Sequence, residues 1–134
     1  MQSNEITINI SLSDLSLTET ELQTVISQNI LPEISRVDGV KKADLIGLEN
    51  APDGAKSLGG YLLGKFQLLV NIKNLKAVVT WLTKNRNGGV EISAEKVDKN
   101  GKPKKITLKL NRSDIDSSSI ERQIDAFIQD FIKD

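Results

Sequence analysis

Three groups of residues in this 134-residue chain have types and spacings that can do chemistry. Gly54-Ala55-Lys56-Ser57 sets a lysine and a hydroxyl behind a glycine, as a phosphate loop does. A true loop of that kind reads G-x-x-x-x-G-K-[ST], because successive backbone N–H groups must wrap the phosphates. Here an alanine precedes Lys56 and no upstream glycine has the spacing, so the run reads as a turn leading into the next element. Asp114, Asp116, Glu121 and Asp125 gather carboxylates that could serve acid–base work or hold calcium. The D-x-[DN]-x-[DN]-G pattern is not met, since Ser118 and Ser119 stand where a ligand and a glycine should. Acidic residues at a helix start also complement the macrodipole. Lys96, Lys99, Lys102, Lys104, Lys105 and Lys109, opposed by Glu95 and Asp98, form a basic ribbon that could touch phosphates. The ribbon has no aromatic residue to stack a base and no arginine to read one. Lysines also blunt sheet edges against stray pairing.

Two absences narrow the field further. With no cysteine there are no disulfides, thiolate metal sites or cysteine nucleophiles, and with no histidine the commonest metal ligand and neutral-pH base are missing. Zinc hydrolases, Ser-His-Asp hydrolases and Cys-His proteases are excluded within this chain. Eighteen basic residues balance eighteen acidic ones, so no net field draws in nucleic acid or an anionic membrane. The polar start, Met1 to Glu5, has no signal-like apolar run, and the most apolar stretch, Leu58 to Ile72, is too short and too interrupted to span a bilayer. The expectation is a cytoplasmic protein with one domain over residues 1–134, no cofactor and no metal.

The elements that must position these groups follow from periodicity. Ile6, Ile8, Ile10 and Leu12 alternate with Thr7, Asn9 and Ser11, which predicts a half-buried strand. Thr18 and Glu21 have capping-box spacing, with Leu17 and Leu22 at the staple positions. Leu22, Val25, Ile26 and Ile30 make one helical face, and Pro32 is expected to end or kink the helix near Ile30 or Leu31. Lys42–Leu48 reads as a second strand, and Asn50–Gly54 as a loop. Leu58 to Leu69 reads as a glycine-bearing helix, although each interior glycine costs about 1 kcal/mol relative to alanine. Asn74 is expected to cap a helix carrying Leu75, Val78, Val79 and Leu82, stopped by Gly88-Gly89. Val90–Val97 and Lys104–Leu110 read as a hairpin turning at Asp98–Gly101. A last helix begins at a second capping box, Ser118 and Glu121, and buries Ile120, Ile124, Phe127, Ile128, Phe131 and Ile132. Together these predict an α+β fold, with a four-stranded sheet (two separate strands plus a C-terminal hairpin) packed with three to four helices.

The run from Asn50 to Leu69 (NAPDGAKSLGGYLLGKFQLL), the following Val70–Ala77, the aromatic-leucine pair Trp81-Leu82 and the hairpin turn around Asp98 to Gly101 resemble the effector-associated constant component family of bacteria. The likeness runs from about residue 41 to residue 132. Where that family's turn often reads Asp-Gly-Arg, this chain has Asp98-Lys99-Asn100-Gly101-Lys102. The resemblance implies a non-enzymatic adaptor in a bacterial immune or conflict system. It would couple a variable effector, such as a caspase-like or trypsin-like peptidase, to a sensing or NTP-dependent component. Its partners would then be proteins, with no small-molecule substrate and no membrane. The candidate partner-binding residues are Lys56, Leu58, Gly59, Gly60, Tyr61, Leu62, Leu63, Gly64, Phe66 and Trp81. Aromatics are usually core and also favoured interface anchors, and the glycines suit either docking of a partner or close internal packing. Two other readings stand beside the adaptor: a nucleic-acid accessory protein using the lysine hairpin, and a small enzyme working with carboxylates, lysine or serine alone. An exposed edge strand would also permit a homo-oligomer.

Overall fold

The computed structural model describes residues 5–14, 16–47, 57–58, 60–83, 88–97, 100–111 and 117–132. Strand β1 (Glu5–Ser13) buries Ile8, Ile10 and Leu12 and turns the intervening residues outward, as its alternation predicts. Thr18 then caps helix α1 (Glu19–Val25). Its hydroxyl accepts from Glu21 N at 3.1 Å, and Glu21 Oε1 accepts from Thr18 N at 2.8 Å, completing the capping box.

Pro32 does not end this helix. The chain widens into a π turn over Ile26–Ile30, where Leu31 N donates to Ile26 O, and continues as α2 (Leu31–Ile34) with the proline in its first turn. A proline in a helix has no N–H to give and crowds the carbonyl four residues back. A π bulge is one way to relieve that crowding. Ile26, Ile30 and Ile34 all remain buried across the irregularity, so the packing face is kept.

Strand β2 (Val40–Gly47) follows the Asp38-Gly39 turn, and the two-residue strand β3 (Ser57–Leu58) leads into β4 (Tyr61–Asn71). β4 is the principal departure from the sequence reading, which made Leu58–Leu69 a helix. The segment alternates strictly: Leu62, Gly64, Phe66, Leu68 and Val70 are buried, while Tyr61, Lys65 and Gln67 are exposed. An apolar run of this length is ambiguous between helix and strand by composition. The glycines tip it, because they weaken a helix and suit a bulge. With β5 (Gly89–Val97) and β6 (Pro103–Asn111), the sheet therefore has five main strands rather than four, in the order β2-β4-β1-β5-β6, with β3 pairing β4.

Asn71 caps the 3-10 turn Ile72–Asn74 by accepting from Lys73 N at 3.0 Å, so the cap lies three residues before the expected Asn74. Helix α3 (Leu75–Thr83) then buries Leu75, Val78, Val79 and Leu82 completely. The hairpin β5 (Gly89–Val97) and β6 (Pro103–Asn111) forms as expected. Helix α4 (Ser117–Ile132) buries Ile124 and Phe127 and packs on β6 and α3. It begins at Ser117, which puts Ser118 inside the first turn.

All strand pairs are antiparallel. Hence β1 and β2 run parallel to each other with β4 between them, and β4 and β5 run parallel with β1 between them. Each parallel pair is joined through a helical segment. Two interleaved split β-α-β units of this kind make the ferredoxin-like arrangement, here extended by β6 and α4. One sheet face and the helices share a single core.

Between Leu45 opposite Phe66 and Gly47 opposite Tyr61, β4 carries more residues than β2 and bulges. Gly64 sits in the bulge at φ +71°, and a Cβ there would lie 2.9 Å from the Leu12 carbonyl oxygen. The buried Gln23 side chain of α1 serves the bulge: Gly64 N donates to its Oε1 at 2.9 Å, and its Nε2 donates to Leu62 O at 3.4 Å.

Gln23→Leu leaves both backbone groups without that partner and should lower the unfolding free energy by about 2 kcal/mol in urea denaturation. Gln23→Glu can still accept from Gly64 N but cannot donate to Leu62 O until protonated, so its deficit should shrink as pH falls. At the helix start, the Thr18 backbone N–H and then its hydroxyl hold the Glu21 carboxyl below its ordinary range. A lowered folded pKa contributes stability above the unfolded value and loses it as pH falls through the folded one. Glu21→Gln keeps the cap and should flatten the acid limb of the stability–pH curve.

Candidate interaction surface

The helices cover one face of the sheet, among the described residues none covers the other, and the residues of that open face can be assigned from register. β1 contributes Thr7, Asn9 and Ser11, and β4 contributes Tyr61, Leu63, Lys65, Gln67 and Leu69. β5 contributes Glu91, Ser93 and Glu95, opposite Lys109, Thr107 and Lys105 of β6. β2 adds Lys42 and Asp44, opposite Leu69 and Gln67.

Polar side chains tie this face together. Gln67 Nε2 donates to Asn9 Oδ1 at 3.0 Å across β4 and β1. One position along, Lys65 Nζ donates to Ser11 Oγ at 3.4 Å. Lys109 Nζ lies 3.9 Å from Glu91 Oε2, and Lys42 Nζ lies 3.6 Å from Asp44 Oδ2. A shallow depression bordered by Glu5, Ile6, Thr7, Asn9, Gln67 and Glu95 lies at the β1–β4 seam. The centre of the face is neutral, made of hydroxyls and amides, with the charges on the flanking strands.

The predicted site residues part company on this scaffold. Phe66 is fully buried at the centre of the core, and Leu62 is buried beside it. Both sit on the covered side, as does Gly64, so in this fold these three serve packing and not an accessible surface. Tyr61 and Leu63 point the other way, and Tyr61 is 43% exposed, the large hydrophobic most open to solvent among the described residues. Gly60 forms the tight turn between β3 and β4 at φ +86°, with open space around the position of a Cβ. The backbone of Leu58 pairs with Tyr61. Lys56 and Gly59 lie outside the described residues. Trp81 is half-buried on α3, on the helical side, in a cleft lined with Lys73, Lys76, Ala77 and Thr80.

The other groups singled out in the sequence are placed as follows. Of the acidic group, Asp114 and Asp116 lie outside the described residues. Asp125 accepts from Lys76 Nζ at 3.0 Å, and Glu121 lies 4.0 Å from the same nitrogen. That hydrogen bond and the charge of Asp125 raise the Lys76 pKa, with a smaller push from Glu121. These carboxylates thus tie α4 to α3. In the lysine hairpin, Glu91 and Glu95 stand directly across from Lys109 and Lys105, which balances the ribbon's charge on that face. Of the phosphate-loop-like run, only Ser57 is described, in β3.

Sequence reasoning named Tyr61 and Leu63 of the outward row of β4 but not Lys65, Gln67 or Leu69, and did not see them as a row. Its signal, polar residues at every second position from Lys65 to Gln67 inside an apolar run, was present but obscured by Leu62-Leu63 and Leu68-Leu69. Among the described residues no helix is long and apolar enough to cross a membrane, and no three metal-ligating side chains cluster.

The two glycines separate experimentally. Gly64→Ala meets both a left-handed backbone and the Leu12 carbonyl, whereas Gly60→Ala meets only the backbone term of about 1–2 kcal/mol. The Gly64 variant should be the less stable of the two in thermal or chemical unfolding.

Searches against protein-family models, curated proteins and solved structures found no match to this chain.

Proposed function

We propose that this chain is a cytoplasmic, non-enzymatic interaction module of the effector-associated constant component kind, which captures a protein partner on the open face of its sheet. The observation that carries this reading is the outward row of β4. Tyr61, Leu63 and Leu69 stand on the solvent side of a strand whose other outward residues, Lys65 and Gln67, are polar and partnered. A tyrosine exposed on a regular element, with leucines aligned beside it and hydrogen-bonding groups around, has the make-up of an interface anchor with a polar rim. The same segment carries the family resemblance. Helices hold the opposite side rigid, so the row loses little entropy on being covered.

The neighbours of Ser11 fit this reading better than a chemical one. Its hydroxyl receives a hydrogen bond from the Lys65 ammonium on an exposed, flat strand face. A flat face does little to exclude water from a reacting group. By resemblance, the partner is an effector such as a peptidase, or the sensing component that controls it.

Tyr61→Glu and Leu63→Glu place charge on that row without touching the core, so each variant should keep the far-ultraviolet spectrum and melt within a few degrees of the parent. Each should lose capture of the effector or sensor encoded beside it in affinity pull-down. Undiminished capture by both folded variants would overturn the reading.

A further inference from the structure

The two edges of the sheet are built differently. β6 presents Pro103 and the exposed Lys104, Lys105 and Lys109, a composition that resists pairing with another strand. β2 has neither a proline nor a row of like charges. Its regular stretch, Lys42–Leu45, pairs residue for residue with Leu69–Phe66 of β4, and among the described residues no strand lies beside its other edge in the order β2-β4-β1-β5-β6. Within the regular stretch the outward charges are Lys42 and Asp44, flanking Ala43 and both well exposed, while the exposed Lys41 is the extra residue at the Val40/Lys42 register shift.

We infer that the free edge of β2 pairs antiparallel with the same edge of a second copy of this chain, on a two-fold axis midway between the two Ala43 residues. An axis perpendicular to the sheet keeps both helical layers on one side, and it must pass between two copies of the same residue so that opposing side chains share a face. With Ala43 at the centre, Lys42 of each copy stands directly opposite Asp44 of the other. Two cross-strand ion pairs then join the one Lys42–Asp44 contact of each chain into an alternating cluster of four charges. Moving the centre to Lys42 or to Asp44 sets that charge against its own copy, which is destabilising. On the helical side the residue facing itself is alanine, the smallest side chain on β2 apart from Gly47, so the two layers can approach closely. The register shifts at Val40/Lys42 and Leu45/Gly47 confine the pairing to this short stretch. A contact of that size makes a weak, reversible dimer. This inference uses the sheet's edge and not its outward face, so it stands independently of the proposed partner site.

Sedimentation equilibrium of the full chain, from micromolar to millimolar concentration at low salt, tests it. The parent should dimerise reversibly, and its association should weaken as salt rises. Asp44→Lys puts like charges opposite each other twice and should weaken the dimer about tenfold. The double variant Lys42→Asp/Asp44→Lys restores unlike pairs and should return the dimer constant close to that of the parent. Both side chains are exposed, so the variants should melt like the parent, and the salt dependence of the parent is a check that needs no variant. A parent that stays monomeric throughout, an association insensitive to salt or unchanged by Asp44→Lys, or a double variant as weak as the single one would overturn the inference.

Discussion

A side-chain amide stands in for a missing strand at the most irregular point of the sheet. Where β4 bulges, the Gly64 N–H and the Leu62 carbonyl turn to Gln23 of α1. Buried backbone groups must find partners, and an interior bulge without one would be costly. Gln23 is one of only two buried polar side chains among the described residues, the other being Thr83. Its reach fixes the first helix over the bulge, just as the bulge fixes the helix. Thr18 and Glu21 set where that helix begins, and Ile26, Ile30 and Ile34 hold its continuation on the sheet. Loss of the amide would therefore loosen both the helix docking and the strand that carries the outward row.

The fold's asymmetry follows from this arrangement. Helices arriving from both crossovers and from the C-terminal segment occupy one side and use every large inward residue of the central strands. The other side is left with a neutral centre of hydroxyls and amides, charges toward the flanks, and a few apolar groups along β4. Because the bulge preserves the alternation of β4, Phe66 and Leu62 go to the core while Tyr61 and Leu63 go to solvent. One short segment thus supplies the centre of the core and the apolar groups of the open face. Both earlier readings of its glycines apply, at different positions: Gly64 serves close packing, and Gly60 shapes the exposed turn beside Tyr61.

Much of this could be read from residue patterns, and the failures have identifiable causes. The alternation of β1, the Thr18–Glu21 box, the buried stripe of α3 and the terminal hairpin each rest on local chemistry, and the structure keeps them. At Pro32 the helix is interrupted at the expected Ile30–Leu31 boundary but not stopped, because a π turn can absorb a proline that would break a regular α-helix. The cap moved from Asn74 to Asn71 because a 3-10 turn precedes α3. The β4 segment was misread because adjacent leucines hide period two, and because its partners β1 and β2 are distant in sequence. Gln23 could not have been found from its neighbours: an isolated glutamine in a helix gives no sign that it faces a bulge about forty residues away. Of the candidate residues on β4, those that face outward differ from those that face inward only in parity along the strand, which requires knowing first that it is one.

The central claim is that the outward row of β4, and not the inward one, meets the protein partner. Photo-crosslinking from a reactive residue placed at Leu63, with the same residue placed on Trp81 of the helical side as the comparison, addresses it directly. The account predicts a covalent adduct with the effector or sensor component from position 63 and little from position 81. An adduct from position 81 alone, with position 63 silent while the complex is intact, would contradict it.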